Sequence, residues 1–172
     1  MSTTIRAATE LDVPVILDFI RQLAEYEQIP HQVTATEERL RDTLFGPNPA
    51  AEVLLADRDG ECAGFAVFFV SYSTFLAQSG IYLEDLYVKP SLRGQGVGSA
   101  LFERLAAIAL ERCCGRVEWG VLDWNESAIR FYRNLGAEPL EEWTKYRLSG
   151  SALERLACRG CTNQSRSAGG GS

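Results

Sequence analysis

The chemistry-bearing stretch of this chain is Ile81-Tyr-Leu-Glu-Asp-Leu-Tyr-Val88, followed by Arg93-Gly-Gln-Gly-Val-Gly98 and then by a helical pattern. A strand emptying into a glycine-rich loop suits a bound phosphate. Gly94, Gly96 and Gly98 remove side chains at alternate positions, so successive backbone N–H groups can turn toward an anion while the following helix adds its positive end. The ligand this predicts is a phosphorylated cofactor.

What the loop lacks narrows the cofactor. A triphosphate-binding loop would place Gly-Lys-Ser or Gly-Lys-Thr at its end, whereas Gly98 is followed by Ser99 and Ala100 with no lysine to reach a terminal phosphate. A dinucleotide fingerprint starting at Gly94 would need Gly or Ala at position 99, and one starting at Gly96 would need it at position 101, where Leu101 stands. Tight packing alone does not call for three alternating glycines, which cost backbone entropy.

The pattern Arg93-x-x-Gly96-x-Gly98 between a strand and a helix resembles the acetyl-coenzyme A pyrophosphate loop of the GNAT N-acetyltransferases. The resemblance runs over residues 4–148. Tyr82-Leu-Glu-Asp-Leu-Tyr-Val88, Leu23-Ala-Glu-Tyr-Glu27 and Asp123-Trp-Asn-Glu-Ser-Ala-Ile-Arg-Phe-Tyr-Arg-Asn-Leu-Gly-Ala137 look like the spermidine/spermine (diamine) acetyltransferase branch. It implies an α/β fold: a mixed, mostly antiparallel twisted sheet flanked by helices, in the order β-α-α-β-β-β-α-β-α-β. It also implies acetyl-CoA as cosubstrate and a polyamine site formed by Tyr26, Glu27, Glu84, Asp85, Glu142 and Trp143. Cofactor contacts would come from Leu86, Tyr87 and Val88, from Arg93, Gly94, Gln95, Gly96, Val97, Gly98 and Ser99, and from Asn125, Ser127, Ala128 and Tyr132. The segment after Gly136 is shorter than in the vertebrate-type enzymes, which implies a shifted acceptor preference. A homodimer is common among similar proteins.

Acetyl transfer to an amine makes definite demands. An alkyl amine with a pKa near ~10.4 is neutral in about one molecule in 2,500 at pH 7, so a proton must be removed. Glu84 is the candidate base, acting through water, as a relay, or only as a contact for the cation. The oxyanion formed at the thioester carbonyl needs preset backbone donors; the resemblance places a strand bulge, and with it an exposed amide, at residues 86–88. The departing thiolate, with a reference pKa near ~8.5, gains from protonation, and Tyr132 is the candidate acid. On a helix Tyr132 shares a face with Ala128 and Leu135. Arg93 would approach a phosphate or hold the loop. Asn125 would contact the pantetheine region or brace the following helix.

The elements that must position these groups can be read from periodicity. Residues 3–8 suggest a strand. Val13, Ile16, Leu17, Ile20, Leu23 and Ala24 fall at helical spacing over 12–27, with Asp12 as N-cap. Thr34-Ala-Thr-Glu37 matches a capping box for a helix ending near Gly46. Strands follow over 52–56 and 61–72, joined by the turn signal Asp57-Arg-Asp-Gly60. Residues 72–80 read as a loop, and its length as a source of acceptor selectivity. Val97, Leu101, Leu105 and Ile108 define a helix that covers the sheet. A strand at 117–121, a helix at 125–135 closed by Gly136 and a last strand at 143–148 complete the expected order.

A chain of 172 residues, 46% hydrophobic, suits one core, and a single domain is expected over 1–158 with an unstructured tail at 159–172. The net charge of -6 argues against a nucleic-acid binder and suits a cationic small molecule. No apolar stretch approaches the roughly 20 residues of a membrane span, and no secretory signal is apparent, so a cytoplasmic, membrane-free protein is expected. Five cysteines, an odd number, suggest reduced thiols. Cys158-x-x-Cys161 lacks a second ligand pair and His31, a solvated loop residue, has no companion, so no metal is expected. Two alternatives stay open: an acetyltransferase with another acceptor (a protein N-terminus, an aminoglycoside or another amine), and a non-catalytic acyl-CoA-binding module.

Overall fold

A computed structural model describes the backbone of residues 2–167 and the side chains through Arg159. In chain order the elements are β1 (Thr3–Ala7), α1 (Val13–Tyr26), α2 (Glu37–Phe45), β2 (Glu52–Arg58), β3 (Glu61–Ser73), β4 (Gln78–Val88), α3 (Val97–Glu111), β5 (Val117–Trp119), α4 (Glu126–Asn134) and α5 (Gly150–Ser167). They group into two compact units, Met1–Leu122 and Asp123–Ser172.

The first unit is built on one five-stranded sheet in the order β1-β2-β3-β4-β5. The first three pairings are antiparallel and β4 with β5 is parallel. Two-residue connection Asp59–Gly60 turns β2 into β3, with φ of 52° and 84° at its two positions, the backbone that a tight hairpin of right-handed strands demands. On one face α1 buries Ile16 and Phe19 against Val53, Leu55, Phe65 and Tyr87. Phe19 is fully buried, its ring 5.4 Å from Phe65 and 5.9 Å from Tyr87, and covering a ring of this size contributes about 2–3 kcal/mol. The helical stripe expected on α1 is present, although Phe19 rather than Ile20 or Leu23 supplies its centre. Helix α3 buries Val97, Leu101, Leu105 and Ile108, as its spacing predicted.

The sheet is irregular where the chemistry is expected. Val67 pairs with Asp85 and Phe68 with Leu83, so Glu84 is an extra residue on β4. The bulge therefore falls at Glu84 and not at residues 86–88. Because side chains alternate across a strand, one inserted residue exchanges the faces of everything beyond it. Tyr87, opposite Phe65, joins the α1 side, and Asp85, opposite Val67, joins it too. The parallel pairing with β5 ends at Leu83 and Trp119, one residue before the bulge.

Other expectations need correction. The α2 cap is Thr36, whose Oγ1 accepts the Arg39 N–H at 3.2 Å, so the Thr34–Glu37 box is not used. Asp12 occupies the α1 N-cap position without a side-chain cap bond, because its carboxylate is taken by Arg6 and Thr9. Strands β3 and β4 consume most of the anticipated 72–80 loop and leave residues 74–77 as the connection. The strand expected at 143–148 does not form. These residues are exposed and find no ladder, so alternation alone does not hold them extended. Helix α5 runs through Gly150–Ser167 and so takes in residues 159–167 of the tail expected to be unstructured; the tail's last residues, 168–172, lie outside the described ones.

Candidate active site

Helix α1 ends in a motif that fixes Glu27. The Ile29 N–H reaches the Ala24 carbonyl at 2.8 Å and the Gln28 N–H reaches Glu25 at 3.1 Å, the paired bonds of a Schellman ending. Gln28 takes the left-handed position usually given to glycine, at φ 63°, a local cost of roughly 1 kcal/mol. Glu27 is the helix C-cap, where the helix end is already partly negative and a carboxylate is unfavourable. Burial pushes its carboxyl upward.

Across the sheet face, the bulge brings Glu84 and Asp85 to the same neighbourhood. Glu84 is exposed and Asp85 half-buried. Asp85 is pushed up to about 6, first by burial and then by the charges of Glu84 and Glu27. The three carboxylates are therefore near enough to repel one another.

Arg93 ties the start of the glycine loop to its neighbours. Its Nε donates to the Val88 carbonyl at 3.0 Å, and its guanidinium lies 4.5 Å from the Tyr26 ring centroid and 5.6 Å from that of Tyr87. Of the two roles open to it, the geometry is that of holding the loop. Tyr87 is core, with its hydroxyl donating to Gln22 Oε1 at 2.9 Å, so only its backbone is available to a ligand. Leu86 is half-buried and Val88 buried.

The loop itself is open. Gly94 and Gly96 have φ of 72° and 85°, and a Cβ built on either would meet nothing within 4 Å. Packing against protein therefore does not require these glycines; the left-handed backbone and clear approach do. Gly96 caps α3, and the first bond of the helix ladder is Ala100 N–H to Gly96 carbonyl at 3.0 Å. The N–H groups of Val97, Gly98 and Ser99 precede that ladder and lie at the positive helix end. Gly98 sits inside the first turn. Gln95 turns its side chain back to the Ser91 carbonyl at 2.9 Å, and Arg58 Nη1 donates to the Gln95 carbonyl at 2.9 Å. These features fit a pyrophosphate held by main-chain donors.

The second unit holds the remaining candidates. Asn125 caps α4, its Oδ1 accepting from the Ala128 N–H at 3.2 Å, so bracing the helix is the role the geometry displays. Ser127 is exposed, and Ala128 and Tyr132 are half-buried on one face. Leu135, expected on that face, is 42% exposed. Gly136 at φ 85° ends α4, with the Ala137 N–H bonded to the Tyr132 carbonyl at 3.1 Å. Glu142 and Trp143 are exposed, Trp143 by 74%.

Sequence reading missed Arg58 and Gln22, which touch the site through the Gln95 carbonyl and the Tyr87 hydroxyl. Gln22 lies one turn before Tyr26 on α1, a signal that helical spacing could have supplied. No local signal marks Arg58. His31 is exposed, as are Cys113 and Cys158; the side chain of Cys161 lies outside the described ones. Among the described residues no cluster of three or more His, Cys, Asp and Glu is arranged to hold a metal ion.

Known proteins are similar to this chain in sequence and fold. A thialysine N-epsilon-acetyltransferase of Sus scrofa is 43% identical over 167 residues, covering 91% of this chain and 98% of that one. An L-ornithine N5-acetyltransferase of Arabidopsis thaliana is 33% identical over 201 residues, covering 91% and 88%. Among solved structures, an integron cassette protein from the mobile metagenome of V. cholerae superposes with a TM-score of 0.77 at 27% identity, covering 91% and 98%. Residues 17–137 match the Acetyltransferase (GNAT) family. With the strand, bulge, glycine loop and capped helix all within that span, the chain belongs to the GNAT family and is an N-acetyltransferase.

Proposed function

We propose that this enzyme transfers acetyl from acetyl-CoA to the terminal primary amine of a small cationic acceptor: a diamine, a polyamine or, the reading favoured here, a lysine-like molecule. The observation that carries the proposal is the mutual proximity of Glu27, Glu84 and Asp85, whose charges act together on Asp85, on a chain that also carries the open glycine loop. The relatives named for thialysine and ornithine, both bearing a side-chain amine on a short stem, support the choice of acceptor. Both structural units act together as one domain over 1–158, a reading supported by the family match that runs from α1 through α4.

Acetyl-CoA supplies an activated acetyl thioester. The loop from Arg93 to Ser99 binds its pyrophosphate through main-chain N–H groups, and the backbone of Leu86 to Val88 presents a donor to the acetyl oxygen. Tyr26, Glu27 and Glu84 hold the ammonium form of the acceptor; Glu142 and Trp143 are the further acceptor contacts that the family resemblance implies. Asp85 takes the proton, directly or through water, because a carboxyl poised at about 6 is better matched to neutral pH than an ordinary one. Glu84, the base expected from sequence, then serves chiefly to attract the cation and to raise its neighbour. Tyr132 returns a proton to the departing thiol. Asn125, Ser127 and Ala128 position that helix.

The negative net charge supports small cations as partners in place of nucleic acid or membranes. No helix among the described residues is long and apolar enough to cross a membrane. A cytoplasmic homodimer completes the proposal; light scattering on the purified protein tests the dimer, and a monomer would remove it.

The deciding experiment incubates the protein with acetyl-CoA and spermidine, a diamine, lysine, ornithine, thialysine, a peptide with a free N-terminus or an aminoglycoside, following thiol release and product mass. Acetylated lysine-like or diamine product is expected. Turnover only with a peptide N-terminus or the aminoglycoside would overturn the acceptor, and cofactor binding without any turnover would overturn catalysis.

A further inference from the structure

Arg58 sits at the end of β2, on the strand face it shares with Leu54 and Ala56 by two-residue alternation. Its side chain is 11% exposed, and the carboxylate of Asp59 stands 3.9 Å from its Nε. Nη1 donates to the Gln95 carbonyl at 2.9 Å and lies 3.3 Å from the Thr3 hydroxyl, on the strand where Thr3 pairs with Arg58. An arginine this covered needs partners for its donors, and here one of them is a carbonyl in the middle of the glycine loop, 37 residues away.

That bond fixes the direction of a peptide. The Gln95–Gly96 unit is planar and trans, so its N–H points opposite to its carbonyl. With the carbonyl drawn to Arg58, the Gly96 N–H faces the side of the loop away from Arg58. Gly94 and Gly96, flanking this unit, are left-handed and without protein neighbours at Cβ, so nothing local prevents the peptide from rotating. A lysine in the loop would have supplied a phosphate anchor of its own, and none is present.

We propose that Arg58 is a positioning residue for acetyl-CoA: by holding the Gln95 carbonyl it locks the glycine loop with its N–H groups presented to the pyrophosphate. The role rests on the acetyl-CoA reading above, and it makes a distinction that general stabilisation does not. Arg58 matters only for donors that carry a pyrophosphate.

The test compares acetyl-CoA with S-acetyl-pantetheine, which carries the same thioester and no pyrophosphate, in the wild type and in the Arg58→Met and Arg58→Lys variants. Methionine keeps an apolar stem and loses the donor; lysine keeps a donor. In Arg58→Met the ratio of kcat/KM for acetyl-CoA over S-acetyl-pantetheine falls roughly tenfold, through KM, as expected for losing one charge-assisted hydrogen bond. Arg58→Lys recovers part of the ratio. A ratio that stays at the wild-type value, whether both donors decline together or neither does, overturns the proposal while leaving acetyl-CoA as donor. Should the Met variant not fold, Arg58→Gln, too short to bridge to the loop, replaces it under the same criterion. A wild-type enzyme that turns over neither thioester removes the acetyl-CoA reading, and this proposal with it.

Discussion

The guanidinium of Arg93 lies 4.5 Å from the ring centroid of Tyr26, so the first loop residue and the last residue of α1 are joined by a cation–π contact. Under the proposed function one end of that contact belongs to the cofactor loop and the other to the acceptor site, so binding of either ligand should bear on the other.

Arg93→Ala removes this contact and the hydrogen bond to Val88. Both KM values, for acetyl-CoA and for the amine, should rise, each by roughly tenfold. Arg93→Lys should not restore them, since an ammonium lacks the planar face that covers two rings. Steady-state kinetics varying each substrate in turn checks this; a change confined to acetyl-CoA would mean that the two sites are not coupled through Tyr26.

The raised carboxyl of Asp85 fixes a pH dependence. Activity on the amine should rise through about pH 6 as Asp85 loses its proton. Glu27→Gln or Glu84→Gln removes a like charge and should move that limb to lower pH. Asp85→Asn should abolish the limb and lower kcat on the order of a hundredfold; an unchanged profile would return the proton to Glu84. Stability moves the opposite way. A carboxyl that holds its proton more tightly when folded favours folding below its ordinary value near 3.8, and that contribution is lost as pH rises to about 6. Asp85→Asn should therefore stabilise the protein at pH 8, by on the order of 2 kcal/mol, and change little at pH 3. Thermal melts at the two pH values measure it.

Tyr132→Phe keeps the ring and removes the hydroxyl. Turnover should fall on the order of a hundredfold, with the affinity for acetyl-CoA changed less than about threefold. Equal losses in both would make Tyr132 a binding contact instead of an acid.

Arg6 joins β1, β2 and the entry to α1. Its Nε meets Asp57 at 2.7 Å and its two Nη atoms grip Asp12 at 2.8 Å each. The bond from Arg6 holds the Asp12 carboxyl well below its usual range, against the opposing effect of burial. Stability from Asp12 is present above the ordinary carboxylate value and lost as pH falls through the depressed one. Arg6→Ala should cost about 1–2 kcal/mol at pH 7, a figure reduced because Arg6 is 39% exposed. The difference from wild type should shrink toward pH 2 in urea unfolding; a constant difference would point to lost packing instead.

Much of the site was legible because its signals are local. The glycines, the capping Asn125 and the closing Gly136 each act on backbone within a few residues, and periodicity alone located the faces of α1 and α3. Where two caps competed, reading was less sound: Thr34 and Thr36 both precede Glu37 at plausible spacings, and the helix start chose Thr36. The alternation of residues 143–148 looked like a strand, but a strand exists only when a neighbour completes its ladder, and none forms there.

By itself the sequence determined the strand, glycine loop and helix, hence the expectation of a phosphate-bearing cofactor, and through the family resemblance it nominated the carboxylates for a cationic acceptor. Only the tertiary structure decided which carboxylate stands in position to titrate near neutral pH. That depends on Glu84 being inserted between the pairs Val67–Asp85 and Phe68–Leu83, which turns Asp85 inward beside Glu27. It also decided that Arg58 reaches the loop. The first is a matter of register between β3 and β4, which is set by pairing and burial across the sheet; the second is a contact between a strand end and a loop 37 residues away, which no order of residues within one strand reveals.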